Sequence, residues 1–272
     1  MSVVAPFPSI SVPVIPEDAI LHPVEDTQVW YGPDLARHPG AWTYNLSVEQ
    51  IDDLRSAVRA VEARRMDVVQ IRAADFPLPS LSEVFARIRA DLFKGRGFAV
   101  LRGFPVAEFS PLQRGLAYFG VGSHFGIATS QNAKGHALGH VCDLGVDYGK
   151  TTGRGYQTSA RLPYHTDSAD IVGLLCVNKA KRGGLSSLVS SVTLHNELLK
   201  RRPDLVRVLM GPIYRDRRDE VPPGQGPWYV IPVFNPYQGR VYSTYVRSAV
   251  RKAQRFEEIP RITALQEEAM DT

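Results

Sequence analysis

His165, Thr166 and Asp167 place an imidazole and a carboxylate two positions apart. On an extended strand the side chains at i and i+2 project to the same face, so both groups can reach one metal ion. A histidine and a carboxylate are two thirds of the 2-His-1-carboxylate facial triad of non-haem Fe(II) oxygenases. Three protein ligands on one face leave three positions, two for a chelating 2-oxo acid and one for O₂. So short a triplet also arises by chance at strand ends, and by itself it leaves both readings open.

Other spacings point to other chemistry, each less well. Gly145-Val-Asp-Tyr-Gly149-Lys150-Thr151 resembles a phosphate-binding loop, but its first spacing is one residue short, and Asp147 would stand where phosphate oxygens approach. His136 and His140 have the i, i+4 spacing of a helical zinc pair. Gly135 and Gly139 oppose a helix there, and no Glu follows His136 as a metalloprotease requires. Ser190 and Ser191 sit in no nucleophile elbow and read as the lead-in and cap of a helix carrying His195 on one face.

Composition bounds the rest. The 272 residues are 44% hydrophobic and 22% charged, enough to bury a substantial core and too apolar for disorder. The net charge of +4 is dispersed. Its densest group, Arg215, Arg217 and Arg218, alternates with Asp216 and Asp219 and reads as a solvated loop, not a nucleic-acid patch. Two cysteines, Cys142 and Cys176, make neither a disulfide framework nor a Cys-rich zinc site. Met1–Ile20 has no basic residue and four prolines, unlike a signal peptide, and the longest apolar run, Ile171–Val177, is far short of a membrane span. A cytoplasmic protein acting on a small molecule is expected, with no nucleic-acid or membrane partner; a homo-oligomer is left open.

The elements that must position these groups fall in two textures. Residues 1–45 are Pro-rich and aperiodic, an irregular arm ahead of one domain over 46–272. Ser47 with Gln50 caps a helix whose apolar stripe is Val48, Ile51, Leu54, Val58 and Val61. Ser80 with Glu83 repeats the device ahead of Leu81, Val84, Phe85, Ile88 and Leu92, and Ser110-Pro111 with Gln113 opens a third helix. Phe98–Arg102 reads as a buried strand. Beyond about residue 120 come Gly-rich turns and β-leaning runs: Tyr156–Ala160, Pro163–Asp167, Ile171–Val177, Ser186–Ser190, Trp228–Phe234 and Arg240–Val246. Helices intervene near 191–202 and 204–210, and Thr263 with Gln266 starts a last one. Helices first and antiparallel-type strands later predict an α+β domain built round a β-sandwich or jelly roll.

Several of these motifs occur in one order. Leu101-Arg102-Gly103-Phe104 follows a buried strand; Pro163-Tyr164-His165-Thr166-Asp167 comes next; Gly183-Gly184-Leu185-Ser186 precedes a helix; Ser130-Gln131-Asn132-Ala-Lys-Gly135 lies between the first two. From about residue 80 onward the chain resembles the taurine dioxygenase-like (TauD/TfdA) family of Fe(II)- and 2-oxoglutarate-dependent dioxygenases. The resemblance implies a double-stranded β-helix (jelly-roll, cupin-like) core with flanking helices and iron at one mouth of the barrel. It makes His165 and Asp167 two metal ligands and puts the Ser186 hydroxyl against 2-oxoglutarate. O₂ then drives decarboxylation to succinate and CO₂ with oxidation of a substrate C–H bond. Arg161 lies an even number of positions before His165, so on a continuous strand it shares that face and could contact an anionic group of substrate or cosubstrate, the other reading being a rim salt bridge; it is placed with Asn132 among the substrate-binding candidates.

The family completes its site with a distal histidine and an arginine for the far carboxylate of 2-oxoglutarate. This sequence has no histidine after His195. The expectation is therefore a domain cut before its last core strands, the third ligand absent from this chain unless His124, His136 or His140 supplies it. A catalytically inactive remnant acting as a binding or interaction protein is the second reading, and a zinc hydrolase on a cupin-like barrel the third.

Overall fold

A computed structural model of the chain describes residues 21–130, 132, 135–150 and 153–272. The Pro-rich first twenty residues, Gln131, Ala133 and Lys134 of the polar block, and Thr151 of the Gly-rich loop lie outside the described residues. These fall into two compact units, one of residues 27–139 and 169–190, the other of residues 21–26, 140–168 and 191–272.

The first unit is mainly helical. Within the segment read as an arm, the chain forms α1 (Gly32–Arg37) and β1 (Thr43–Asn45). The next helix, α2 (Val48–Ala63), begins with the expected capping box: the Gln50 amide donates to Ser47 Oγ at 3.2 Å, and the Ser47 amide to Gln50 Oε1 at 3.0 Å. Its buried stripe is Leu54, Ala57, Val58 and Val61. The second expected box does not form. Helix α3 (Ser82–Lys94) starts two residues beyond Ser80 with no side-chain cap. Ser80 instead donates its hydroxyl to Asp53 Oδ2 at 2.6 Å and its amide to the same oxygen at 3.0 Å. A carboxylate on α2 accepts more strongly than a local Glu–Ser pair can, so tertiary contact overrides the local motif. Strand β2 (Val100–Arg102) pairs in parallel with β1, Thr43 opposite Val100. Helix α4 (Pro111–Ser123) has the expected Ser110–Gln113 box and Pro111 at its first position.

Phe76 is fully buried in the core between these helices. Gly120, on the buried face of α4, is what admits it: a Cβ there would lie 2.5 Å from the Phe76 ring. Gly120→Ala is therefore expected to destabilise the protein by about 1–3 kcal/mol despite alanine's better helix propensity, as a lower denaturant midpoint with an unchanged m-value would show.

The second unit carries α5 (Ser191–Arg201), α6 (Pro203–Met210), β3 (Tyr214–Asp216), β4 (Trp228–Val230), β5 (Phe234–Tyr237), β6 (Arg240–Ser243), α7 (Arg247–Ala253) and α8 (Ala264–Asp271). Strands β3 and β4 pair antiparallel with Arg215 opposite Tyr229, and β5 and β6 with Phe234 opposite Ser243. Leu205, Val206, Leu209 and Met210 of α6 form the core with Ile213, Val233, Phe234, Val241, Val250 and Ala269. Helix α8 opens on the expected Thr263–Gln266 box and is tied to α7 by Arg247, which ion-pairs with Glu267 and with Asp271. Loss of one cap hydrogen bond typically costs about 1 kcal/mol, so Thr263→Ala should lower stability by that amount, measured by chemical denaturation.

Among the described residues no strand lies between 103 and 213. The runs expected as strands at Pro163–Asp167, Ile171–Val177 and Ser186–Ser190 join no strand ladder, and Tyr156 sits in a 3-10 turn. These runs lie at the surface, with Leu174, Leu185 and Leu188 all exposed. A strand is defined by its ladder partners, and β-leaning sequence without a partner remains irregular. The result is an α+β architecture with three two-stranded sheets among the described residues.

Candidate metal centre

His165 and Asp167 lie in the second unit, in an irregular segment seamed to Tyr245 just after β6. The Thr166 amide donates to the Tyr245 carbonyl at 2.8 Å, and the Tyr245 amide donates to Thr166 Oγ1 at 2.8 Å. Engaging Thr166 through its backbone amide and hydroxyl leaves the flanking His165 and Asp167 side chains free to converge. The geometry agrees: His165 Nε2 and Asp167 Oδ1 are 4.0 Å apart, with both side chains partly open to solvent.

The other imidazole nitrogen fixes what faces Asp167. His165 Nδ1 is 2.8 Å from the Pro163 carbonyl oxygen. A carbonyl can only accept, so Nδ1 carries the proton, and in the neutral ring Nε2 presents a lone pair. Lone pair and carboxylate thus converge at a separation too long for a hydrogen bond between them. Two such donors suit a divalent cation with mixed nitrogen and oxygen ligands, and a backbone carbonyl behind the imidazole is the usual orienting partner of a metal-bound histidine. Among the described residues no group of three His, Cys, Asp or Glu side chains is placed to hold a metal ion.

Behind the seam lies the charged run Arg215–Asp219, which its alternating signs predict to be a solvated loop but whose first two residues are buried. Arg215 is only 2% exposed and Asp216 is buried beside it on β3. Arg215 Nη2 donates to the Thr244 carbonyl, and to Thr244 Oγ1 at 3.2 Å. Burial pulls its guanidinium below the ordinary range, while Tyr229 and Tyr245 act in the opposite sense. Asp216 accepts from Arg255 Nε at 2.8 Å and from the Arg218 amide at 2.6 Å. The alternating signs suggested solvation, but Ile213 and Tyr214 before the run and Trp228-Tyr229-Val230 opposite it carry the β pairing that draws it inside. Those flanking residues were the available signal.

The remaining candidates are placed as follows. Arg161 is exposed in the same unit as His165. Ser186, also exposed, and Asn132 belong to the other unit. Asn132 Oδ1 accepts from the His136 amide at 3.4 Å. Two of the substitute ligands have protein contacts: His124 Nε2 is 2.8 Å from the Phe76 carbonyl oxygen, and His136 Nδ1 is 3.2 Å from Asn132 Nδ2. His195 is fully buried on α5, edge-on to Phe234. Both cysteines are free and exposed. No helix among the described residues is long and apolar enough to cross a membrane.

Comparison with known proteins follows the same segments. The family described as "Taurine catabolism dioxygenase TauD, TfdA family" matches residues 61–272. The chain is similar to FR-33289 synthase of Streptomyces rubellomurinus, 30% identical over 224 residues, covering 82% of this chain and 66% of that protein. It is also similar to the taurine hydroxylase-like protein SAT17 of Stachybotrys chartarum, 26% identical over 193 residues, covering 68% of this chain and 50% of that protein. The chain thus spans between half and two thirds of the length of the curated relatives it matches. With the family match running through the His165–Asp167 segment and both cores, the chain belongs to the taurine catabolism dioxygenase TauD, TfdA family.

Proposed function

We propose that this chain carries the metal-binding part of an Fe(II)- and 2-oxoglutarate-dependent dioxygenase that oxidises a C–H bond of a small organic substrate. In the balanced reaction one O₂ and one 2-oxoglutarate are consumed, and succinate, CO₂ and the oxidised substrate are released. The observation that carries the proposal is the converging pair His165 Nε2 and Asp167 Oδ1, 4.0 Å apart, with Nδ1 held by the Pro163 carbonyl. Family membership over residues 61–272 supports it, as does similarity to a synthase and a hydroxylase-like protein. His165 and Asp167 would hold the iron, which when bound supplies the oxidising chemistry. Ser186 would hydrogen-bond 2-oxoglutarate, and Arg161 and Asn132 would contact the substrate. The domain fold proposed is the double-stranded β-helix, a jelly-roll core with flanking helices.

Anaerobic titration with Fe(II) and then 2-oxoglutarate tests the reading through the visible metal-to-ligand charge-transfer band. A band saturating at one equivalent supports the chelate; a folded protein that gives none removes the proposal. A second reading, a binding or interaction protein without activity, is favoured by one observation: no third metal-ligating side chain joins His165 and Asp167 among the described residues. Oligomer size together with 2-oxoglutarate affinity separates the two. The substrate assignment of Arg161 has its own check. Arg161→Ala should weaken substrate binding about tenfold if the guanidinium pairs with a substrate anion, and unchanged affinity takes Arg161 out of the site.

A further inference from the structure

We propose that Arg215 is a positioning residue for the His165–Asp167 pair, acting through Thr244, Tyr245 and Thr166; the inference rests on the reading of that pair as a metal site. Arg215 is 2% exposed and makes no ion pair with a carboxylate among the described residues. Its nearest acids are spent elsewhere: Asp216 and Asp219 both pair with Arg255. The Arg215 Nη2 donors go instead to the carbonyl and hydroxyl of Thr244, while Nε is buried without a hydrogen-bond partner. A buried guanidinium lacking a counter-ion is a poor stabiliser, and well-packed apolar residues of similar volume often replace such groups without loss. Its position therefore calls for a use other than stability.

That use follows from what Arg215 holds. Thr244 is pinned on both sides, since its hydroxyl also donates to the Pro232 carbonyl at 2.6 Å and its amide to the Val233 carbonyl at 2.9 Å. The next residue, Tyr245, makes both hydrogen bonds of the seam with Thr166. Thr166 stands between the two candidate ligands. Fixing Thr244 thus fixes the Tyr245 backbone, which fixes Thr166 and with it the flanking His165 and Asp167. Outer residues of this kind typically alter metal affinity 10- to 100-fold without touching the ion.

The test compares Arg215→Met and Arg215→Lys with the parent by two readouts. Hydrogen exchange, measured without metal, should show the Thr166 and Tyr245 amides of Arg215→Met exchanging at least about tenfold faster while the α6 amides keep their rates. Co(II) titration, followed by its visible absorption, should show binding weakened about tenfold or more. Arg215→Lys keeps the charge with one donor group, so it should fall between the two and provides a folded comparison if the methionine variant does not fold. Unchanged exchange at Thr166 and Tyr245, or acceleration spread equally over α6, overturns the proposal. If the parent binds no Co(II), the metal reading fails on its own, and the exchange data still decide whether Arg215 sets the seam.

Discussion

Asp167→Ala is expected to weaken Fe(II) binding by about 100-fold or more and to abolish the charge-transfer band with 2-oxoglutarate, while leaving the thermal midpoint nearly unchanged. Asp167 is more than half exposed and, among the described residues, makes no ion pair except its 4.0 Å approach to His165, so the fold gains little from it. The metal, by contrast, loses an anionic oxygen ligand, and divalent cations depend on such ligands for charge as well as geometry. Asp167→Asn separates the two contributions: it preserves shape and removes charge, and should bind Fe(II) more weakly than the parent and more tightly than the alanine variant. Anaerobic calorimetry with Fe(II) alone gives the affinities. Parent-like binding by Asp167→Ala would move the metal site elsewhere in the chain.

Asp216→Ala should lower stability by about 2–3 kcal/mol, the scale for losing hydrogen bonds to a buried charged acceptor whose partner, Arg255, stays partly exposed and paired with Asp219. Asp216 has a fully buried side chain and closes two arrangements at once. It pairs with Arg255 through both carboxylate oxygens, at 2.8 and 3.3 Å. It also accepts the Arg218 amide at the head of a turn in which Arg218 and Asp219 both take left-handed backbone angles, φ of 57° and 62°. Arg218 does not favour that region, which Asp219 tolerates better, and the carboxylate acceptor is what compensates. Urea unfolding of Asp216→Ala and Asp216→Asn measures the effect. A loss below about 1 kcal/mol in both would mean that the turn is held by its ends, the class of small effect usual for exposed pairs.

Local rules served the helices well where the capping partner lay within the same turn. Ser47, Ser110 and Thr263 all accept from the residue three positions on, as their spacing predicts. Ser80 failed because Asp53, 27 residues earlier, competes for it, and no short window contains that acid. The β region was less legible for a related reason: apolar alternation says that a run can be a strand, while pairing decides whether it is one. Arg240–Val246 found β5 and became β6; Ile171–Val177 found no partner among the described residues. The approach of His165 to Asp167 was readable because it needs only two residues two positions apart. Arg215 was not, since its burial depends on the β3–β4 register and on Thr244, 29 residues away.

The two exposed thiols offer something the chemistry of the site does not. Cys142 belongs to one compact unit and Cys176 to the other. A donor and an acceptor dye attached to this native pair turn the chain into its own molecular ruler, with no cysteine to add or remove. Single-molecule energy transfer between them would report whether the spacing of the two units responds when Fe(II), 2-oxoglutarate or a candidate substrate is added, and so would serve as a substrate screen that needs no turnover.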